Sequence, residues 1–341
     1  MKFFVTGTAG FIGYHLARRL VMNGHAVVGY DGITDYYDPA LKRARLAGLE
    51  QLPGFTRVDG LLEDRAHLGD AVGAQRPDVI VHLAAQAGVR YSLENPTSYV
   101  SANLVGTFNL LEAARATKPA HLLVASTSSV YGGNIKIPFS ETDRTDFPIS
   151  LYAATKKSVE AISHSYAHLF GIPTTVMRFF TVYGPWGRPD MALFRFAEAI
   201  RRNTPISVYG TGDATRDFTY VDDLVEAMAR LIGVIPEAGK PLEAGLAPDS
   251  LSPVAPWRVV NIGSGRAIPL NAFIGAIEAA LGAPAKRITL PTQAGDVADT
   301  FADVGLLAAL TGYVPKTAIE TGIGSFVEWF LDYDSRHPRP E

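Results

Sequence analysis

The sequence predicts an α/β fold built on a doubly wound parallel sheet, and three observations carry that prediction. Short runs rich in Val, Ile and Leu alternate with longer stretches whose apolar residues recur at helical spacing. Those runs lack the in–out alternation of a half-exposed strand, as expected where helices cover both faces. A glycine-rich turn, "TGTAGFIG", joins the first apolar run to the first helical stretch.

In order, "KFFVTG", "HAVVGYD", "FTRVDG", "DVIVHLAA" and "HLLVAST" read as strands buried on both faces. Between them, "GYHLARRLVMNG", "PALKRARLAGLEQL", "DRAHLGDAVGAQ" and "SANLVGTFNLLEAARAT" read as helices, the alternation of a parallel sheet. After "TTVMRFFTVYG" the rhythm breaks, and helices such as "MALFRFAEAIRRN" and "LVEAMARLIG" are separated by irregular pieces. Residues 1–178 are therefore read as a first domain. Residues 179–341 are read mainly as a smaller C-terminal α/β substrate domain, partly interleaved with it. The stretch from Gly233 to Trp257, with five prolines, reads as a surface excursion, and "DSRHPRPE" as a solvated tail.

Composition narrows the class. Hydrophobic residues make up 47% of the 341 and charged residues 19%, which excludes a disordered chain. A net charge of −3 with both signs interspersed offers no footprint for nucleic acid or an anionic membrane. Without cysteine there are no disulfides or thiolate-bound metals, and the redox compartment stays open. No apolar stretch approaches the length of a membrane span, and the run at residue 3 lacks the flanks of a signal peptide. A soluble cytoplasmic protein is the expectation. No metal site is expected either: His164 and His168 share a helix face without a third ligand and read as surface histidines, and His82 as a core histidine.

The glycine turn reads as a dinucleotide site. Gly7, Gly10 and Gly13 let the backbone turn tightly and approach a pyrophosphate, with Phe11 and Ile12 completing the turn, and the helix N-terminus favours the phosphate charge. The spacing differs by one residue from the commoner G-x-G-x-x-G, so its context matters. Asp31 closes the second strand, 18 residues beyond Gly13, where a carboxylate can accept from the adenosine ribose hydroxyls. Gly32, Ile33 and Thr34 follow with no base to hold a 2′-phosphate, which favours NAD over NADP. A Rossmann-like domain follows from these features. Asp59, after the third strand and before Gly60, either faces the adenine or is an ordinary strand-end aspartate. Leu83, Ala84 and Ala85 end the fourth strand in mostly small residues, as a backbone lying against a cofactor requires.

"SLYAATKKSVEAISHSYAHLF" reads as a helix that puts Tyr152 and Lys156 on one face at i and i+4. A tyrosine acting as a base near neutrality must have its pKa of ~10 lowered by roughly 3, about 4 kcal/mol. An adjacent ammonium and a positively charged nicotinamide both favour the phenolate, and Lys156 and NAD⁺ could supply them.

Together "TGTAGFIG", "STSSVYG" and "YAATK" resemble the extended short-chain dehydrogenase/reductase superfamily over nearly the whole chain. The resemblance implies that Thr127 holds the reacting sugar hydroxyl, that Tyr152 exchanges its proton, and that Lys156 binds the nicotinamide ribose and tunes the tyrosine. It also places Asn103 near the cofactor machinery, and it implies a homodimer formed through "NLVGTFNLLEAARA" and the helix of Tyr152. "RDFTYVDD" is similar to the segment in which nucleotide-sugar enzymes set an arginine, here Arg216, against the diphosphate. Met191, Ala192, Ser207 and Tyr209 match nucleotide-lining positions, and Asp296 one that contacts the uridine ribose or diphosphate. Where UDP-glucose epimerases carry an arginine three residues before it, this chain departs with Gln293.

The reaction is read from Ser128 and Ser129, which follow Thr127. Sugar 4,6-dehydratases carry Asp-Glu at these positions and UDP-glucuronate decarboxylases typically a glutamate at the second. Hydroxyls do not readily replace a carboxyl as acid or base near neutrality. Elimination is thereby disfavoured, leaving oxidation and re-reduction at C4. "RFFTVYGPWGRPDMA" and "LAAQAGVRYSLENP" resemble the UDP-glucuronate 4-epimerases, with Thr181 where UDP-glucose 4-epimerases usually have asparagine. The resemblance implies a UDP-sugar acid as substrate, with Ser128, Ser129 and Thr181 around its carboxylate. Arg188 either binds that carboxylate or organises the substrate loop, and Arg90 is a further candidate of this sort. The competing readings are a UDP-glucose 4-epimerase, a UDP-glucuronate decarboxylase, or a non-catalytic NAD(P)-binding sensor.

Overall fold

A computed structural model of the chain describes residues 1–243, 245–291 and 299–337. In the first half, strands β1 (Lys2–Thr6), β2 (Ala26–Asp31), β3 (Phe55–Asp59), β4 (Val79–His82) and β5 (His121–Thr127) alternate with helices. The helices are α1 (Phe11–Met22), α2 (Pro39–Glu50), α3 (Arg65–Gln75), the short α4 (Tyr91–Glu94) and α5 (Pro96–Tyr99), and α6 (Gly106–Thr117). A π-helical turn, Val100–Val105, leads into α6, and a 3-10 turn, Ser128–Tyr131, follows β5. Next come α7 (Leu151–Phe170), β6 (Thr174–Phe179), β7 (Thr181–Tyr183), α8 (Ala192–Arg201), β8 (Ile206–Tyr209), β9 (Thr215–Arg216), β10 (Phe218–Tyr220) and α9 (Val221–Ile232). The chain closes with β11 (Trp257–Ile262), β12 (Ile268–Pro269), α10 (Leu270–Leu281), β13 (Arg287–Leu290), β14 (Asp299–Thr300), α11 (Gly305–Thr311) and α12 (Ile319–Arg336).

Seven strands form one parallel sheet in the order β11-β6-β5-β4-β1-β2-β3. Because successive strand residues face opposite sides, Phe3 and Val5 pack beneath α1, α2, α9 and α11, whereas Phe4 packs under α3, α6 and α7. A third apolar cluster gathers Phe194, Phe218, Phe273, Phe326 and Phe330 from α8, β10, α10 and α12. There Phe218 and Phe273 stack at 3.9 Å between ring centroids. Strand β11, from late in the sequence, joins the main sheet beside β6. Among the described residues no helix is long and apolar enough to cross a membrane.

Two sequence expectations are corrected. Strand β3 is not buried on both faces: it is the outermost strand, paired only with β2, and Thr56, Arg57 and Asp59 are exposed. Edge strands have no second neighbour and commonly carry charge. The terminal "DSRHPRPE" is not all tail, because α12 runs through Arg336, with Asp334 paired to Arg201 at 3.2 Å. The proline-rich excursion is held to the main sheet: Arg258 of β11 grips Asp249 with two bonds of 2.8 and 2.9 Å. His164 and His168 bond Ser252 and the Val254 carbonyl, so they anchor this segment to α7. His82 is buried between the hydroxyls of Thr6 and Thr107, a satisfied core histidine.

Candidate active site

Strand order reverses at β1, with β2 on one side and β4 on the other. The connections leaving these strands diverge, and a crevice opens at their C-terminal ends. A cleft of about 290 Å³ lies there. It is lined by the glycine turn, the ends of β2, β4 and β5, the start of α7, and Arg188 and Met191 from the loop after β7.

The glycine turn fits a dinucleotide on steric grounds. Gly7 has φ +84°, and a Cβ there would stand 2.7 Å from the Ala84 backbone nitrogen. At Gly13 a Cβ would overlap the Gly7 carbonyl. Helix α1 starts at Gly10 with no side-chain cap, so its first N–H groups face the cleft without a competing acceptor from the cap. Phe11, Ile12, Asp31, Gly60, Leu83, Ala84 and Ala85 also line the cleft. Asp31 accepts from the Ala9 and Ile33 amides, both at 2.9 Å. Burial raises its pKa, against those amides and the charges of Lys42 and Arg45.

Lys42 is a cleft residue that the sequence reading missed. It lies on α2, beyond the Gly32–Thr34 segment that follows Asp31, and its Nζ donates to the Thr34 carbonyl at 2.5 Å and to the Thr34 hydroxyl at 3.1 Å. The signal for it was a lysine on the buried face of a helix. Asp59, by contrast, does not line the cleft. Its carboxylate takes Arg57 at 2.6 Å on the exposed edge, so the strand-end alternative is the one the structure supports.

Thr127, Tyr152 and Lys156 all line the cleft. Burial pushes the Tyr152 phenol up, and the Thr127 hydroxyl and the Arg188 charge pull it down less strongly. Lys156 donates to the Ala125 carbonyl at 3.0 Å. Burial also lowers Lys156 to about 8, opposed by Glu160. The Tyr152 ring packs edge-on against Tyr99 at 6.1 Å, and the Tyr99 hydroxyl donates to the carbonyls of Ala87 and Gly88.

Beneath the site runs a buried ionic network. Glu160, one turn past Lys156, accepts two bonds of 2.9 Å from Arg178 of β6 and one of 2.6 Å from the Ser126 hydroxyl. Arg178 also stands 4.8 Å from the Tyr131 ring. Asn103, in the π-helical turn, is buried and is not among the residues lining the cleft. It accepts from the Gln86 amide at 2.8 Å and donates to the Gln86 carbonyl and the Thr155 hydroxyl, tying a cleft-lining loop to α7. π-helical turns often occur at functional sites.

On the substrate side, Thr181 and Ala192 line a smaller space adjoining the cleft, together with Arg188 and Met191. Arg188 grips Asp190 through Nε at 3.0 Å and through its terminal nitrogen at 2.5 Å, and Tyr36 donates to the same carboxylate at 3.1 Å. Of its two sequence roles, loop organisation is the one this pairing supports. The Thr127 hydroxyl accepts from the Ser129 amide and donates to the Ser129 hydroxyl, both at 3.2 Å. Ser128, Ser129, Arg90, Ser207, Tyr209 and Arg216 line neither space. Arg90 instead stacks on the Tyr209 ring at 4.9 Å, bringing two of these candidates together. Ser207 sits in β8 opposite Ile288, and Arg216 in β9 donates to the Thr215 carbonyl at 2.8 Å. Asp296 and Gln293 lie outside the described residues.

Comparison with known proteins agrees with this geometry. The sequence profile of a family described as the NAD dependent epimerase/dehydratase family matches residues 3–242. A protein of Rhizobium meliloti (strain 1021) named probable UDP-glucuronate 4-epimerase is 56% identical over 339 residues, covering 99% of this chain and 98% of that protein. UDP-glucuronate 4-epimerase 1 of Arabidopsis thaliana is 45% identical over 335 residues, covering 96% of this chain and 76% of the plant protein. Among solved structures, the UDP-glucuronic acid 4-epimerase of Bacillus cereus, in complex with UDP-glucuronic acid and NAD, superposes with a TM-score of 0.86. It is 32% identical and covers 98% of this chain and 100% of its own.

Proposed function

The chain belongs to the NAD dependent epimerase/dehydratase family, and on that premise we propose that it inverts C4 of UDP-glucuronic acid. The product is UDP-galacturonic acid, formed through a transient 4-keto sugar with NAD as the resident cofactor and without decarboxylation. The observation that carries this reading is the chemistry of the cleft wall. Among the described residues lining it, the acids are Asp31 and Glu63, both on the β2–β3 side, while Ser126, Thr127 and Tyr152 stand at the end of β5 and the start of α7. A wall of hydroxyls suits proton exchange at an alcohol and lacks the carboxyl that would drive elimination.

Bound NAD supplies the hydride acceptor and donor at C4. The remaining work falls to the chain. Asp31 and the glycine turn hold the dinucleotide, and Lys156 is placed to bind ribose hydroxyls while its charge stays near the phenol. Thr127 hydrogen-bonds the sugar O4. Tyr152 removes the O4 proton as the C4–H bond breaks and returns it when C4 is reduced on the opposite face, so proton and hydride are conserved over the cycle. Incubating the protein with UDP-glucuronate and no added cofactor tests the reading: NMR should show the C4-inverted sugar acid. A pentose product, or conversion of UDP-glucose alone, would overturn it in favour of a decarboxylase or a UDP-glucose epimerase.

The 4-keto intermediate is a β-keto acid, which loses CO₂ when the bond to the carboxylate lies perpendicular to the carbonyl plane. We assign Ser128, Ser129 and Thr181 to holding that bond near the plane. Thr181→Ala or Ser128→Ala should divert part of the product to UDP-4-keto-pentose or UDP-pentose. Slower epimerisation with no pentose would remove this assignment. A homodimer through α6 and α7 belongs to the same proposal, supported by exposed Phe108 and Leu169 on these helices. A light-scattering mass near that of a monomer would remove it.

A further inference from the structure

Arg45, on α2, is fully buried, and no carboxylate lies within hydrogen-bond distance of it among the described residues. Its guanidinium is spent on neutral groups. One terminal nitrogen donates to the Ala9 carbonyl at 2.9 Å and to the Tyr37 hydroxyl at 2.7 Å. Nε and the other terminal nitrogen converge on the Trp186 carbonyl at 3.2 and 2.6 Å, and the latter reaches the Gly187 carbonyl at 3.3 Å. A buried charge with no directly bonded carboxylate is expensive, which sets this side chain, whose charge reaches Asp31 only through space, apart from the paired Arg178 and Arg258.

What it joins gives the reason. Ala9 lies inside the glycine turn between Gly7 and Gly10, and its amide is bound by Asp31. Trp186 and Gly187 immediately precede Arg188. The Trp186 backbone is left-handed at φ +60°, a conformation that a bulky residue adopts only when its surroundings enforce it. Its indole is gripped on the other side by Trp329 at 5.2 Å and Tyr333 at 5.6 Å. One residue, Ala9, and one guanidinium therefore link the carboxylate at the ribose end of the cofactor site to the loop that carries Arg188.

We propose that Arg45 is a positioning residue that couples occupancy of the dinucleotide site to the conformation of the 184–191 substrate loop. The inference rests on the cleft binding NAD and a UDP-sugar acid. Settling a dinucleotide on Asp31 and the glycine turn fixes Ala9, and Arg45 transmits that position to two successive carbonyls of the loop. Arginine suits the task because its planar fork addresses several acceptors at fixed angles, which a lysine ammonium does not. Coupling of this kind is reciprocal, so the sugar nucleotide must tighten the cofactor by the same factor.

The test uses NADH and UDP-glucuronate, a pair that cannot turn over because the sugar offers no carbonyl to reduce. The resident nucleotide of the full-length protein is exchanged for NADH, and NADH affinity is measured by fluorescence with and without saturating UDP-glucuronate. In the wild type the sugar nucleotide should tighten NADH about fivefold or more, within the range usual for coupled sites. Arg45→Met should bring that factor close to one. Arg45→Lys, which keeps a buried cation and carries the test where the Met variant does not fold, should lose most of it. A purely structural role would lower the thermal midpoint and leave the factor unchanged. An unchanged factor in the variants, or no factor in the wild type, overturns the proposal. Wild-type protein that shows the coupling but does not epimerise UDP-glucuronate would remove the functional reading and leave the role of Arg45 intact.

Discussion

Tyr152→Phe is expected to lower turnover of UDP-glucuronate by about 10²- to 10⁴-fold, the range that a positioned acid–base group supplies. The substitution removes one oxygen and leaves the ring, which packs edge-on against Tyr99, in place. NAD retention should therefore match the wild type, because the glycine turn and Asp31 are untouched. Initial rates by NMR, normalised to bound nucleotide, make the measurement. Turnover within tenfold of the wild type would show that another group moves the O4 proton. The size of the effect reflects the environment of the phenol. Burial holds it above its ordinary pKa despite Thr127 and Arg188, and the acids among the described cleft-lining residues, Asp31 and Glu63, stand on the β2–β3 side.

Glu160→Ala is expected to cost about 3–5 kcal/mol of stability, the usual consequence of removing one partner of a buried ion pair. Both side chains are almost completely buried, and Glu160 carries two bonds from Arg178 and one from Ser126. Deleting the carboxylate leaves Arg178 with the Glu141 carbonyl at 3.2 Å and the Tyr131 ring, and no counter-ion in its hydrogen-bonding shell. Denaturant unfolding of the single variant beside Glu160→Leu/Arg178→Met separates the causes. The double variant should recover most of the loss, since an apolar pair of similar volume leaves no stranded charge. A loss below 1 kcal/mol in the single variant would mean that water or a shifted side chain reaches Arg178. The same carboxylate favours the charged form of Lys156 one turn away, so the single variant should also lose activity when the remaining folded protein is assayed.

Much of this site was legible before any coordinates. Tyr152 and Lys156 meet because four residues of helix always bring two side chains onto one face. Gly7 and Gly13 were readable because the clashes that demand glycine arise within one strand–turn–helix unit and its neighbour β4. Glu160 was also within reach of that reasoning, being one turn beyond Lys156 on the same helix. What hid it was its partner Arg178, which arrives from β6 and turns an apparent surface acid into a buried one. For Asp59 the neighbouring Arg57, two residues away and on the same side of an edge strand, was sufficient signal for the outcome observed. Spacing places Lys156 on the face of Tyr152 but does not say that its ammonium donates to the Ala125 carbonyl.

Sequence alone determined the layered architecture, the strand-to-helix glycine turn and the pairing of Tyr152 with Lys156 on one helix face, because each is written in short-range spacing, while Thr127 was implied by the family resemblance. Tertiary structure decided where the charges go. Arg45 finds its carbonyls at Trp186, 141 residues along the chain, and His121 bonds the Ile232 carbonyl, 111 residues away. Lys42 enters the cleft because α2 packs with one face toward Asp31. Such pairings depend on how the helices and loops are stacked around the sheet, and local periodicity carries no information about that distance. The partner of a buried charge is therefore read from the fold, while the chemistry of "STSSVYG" and "YAATK" is read from the chain.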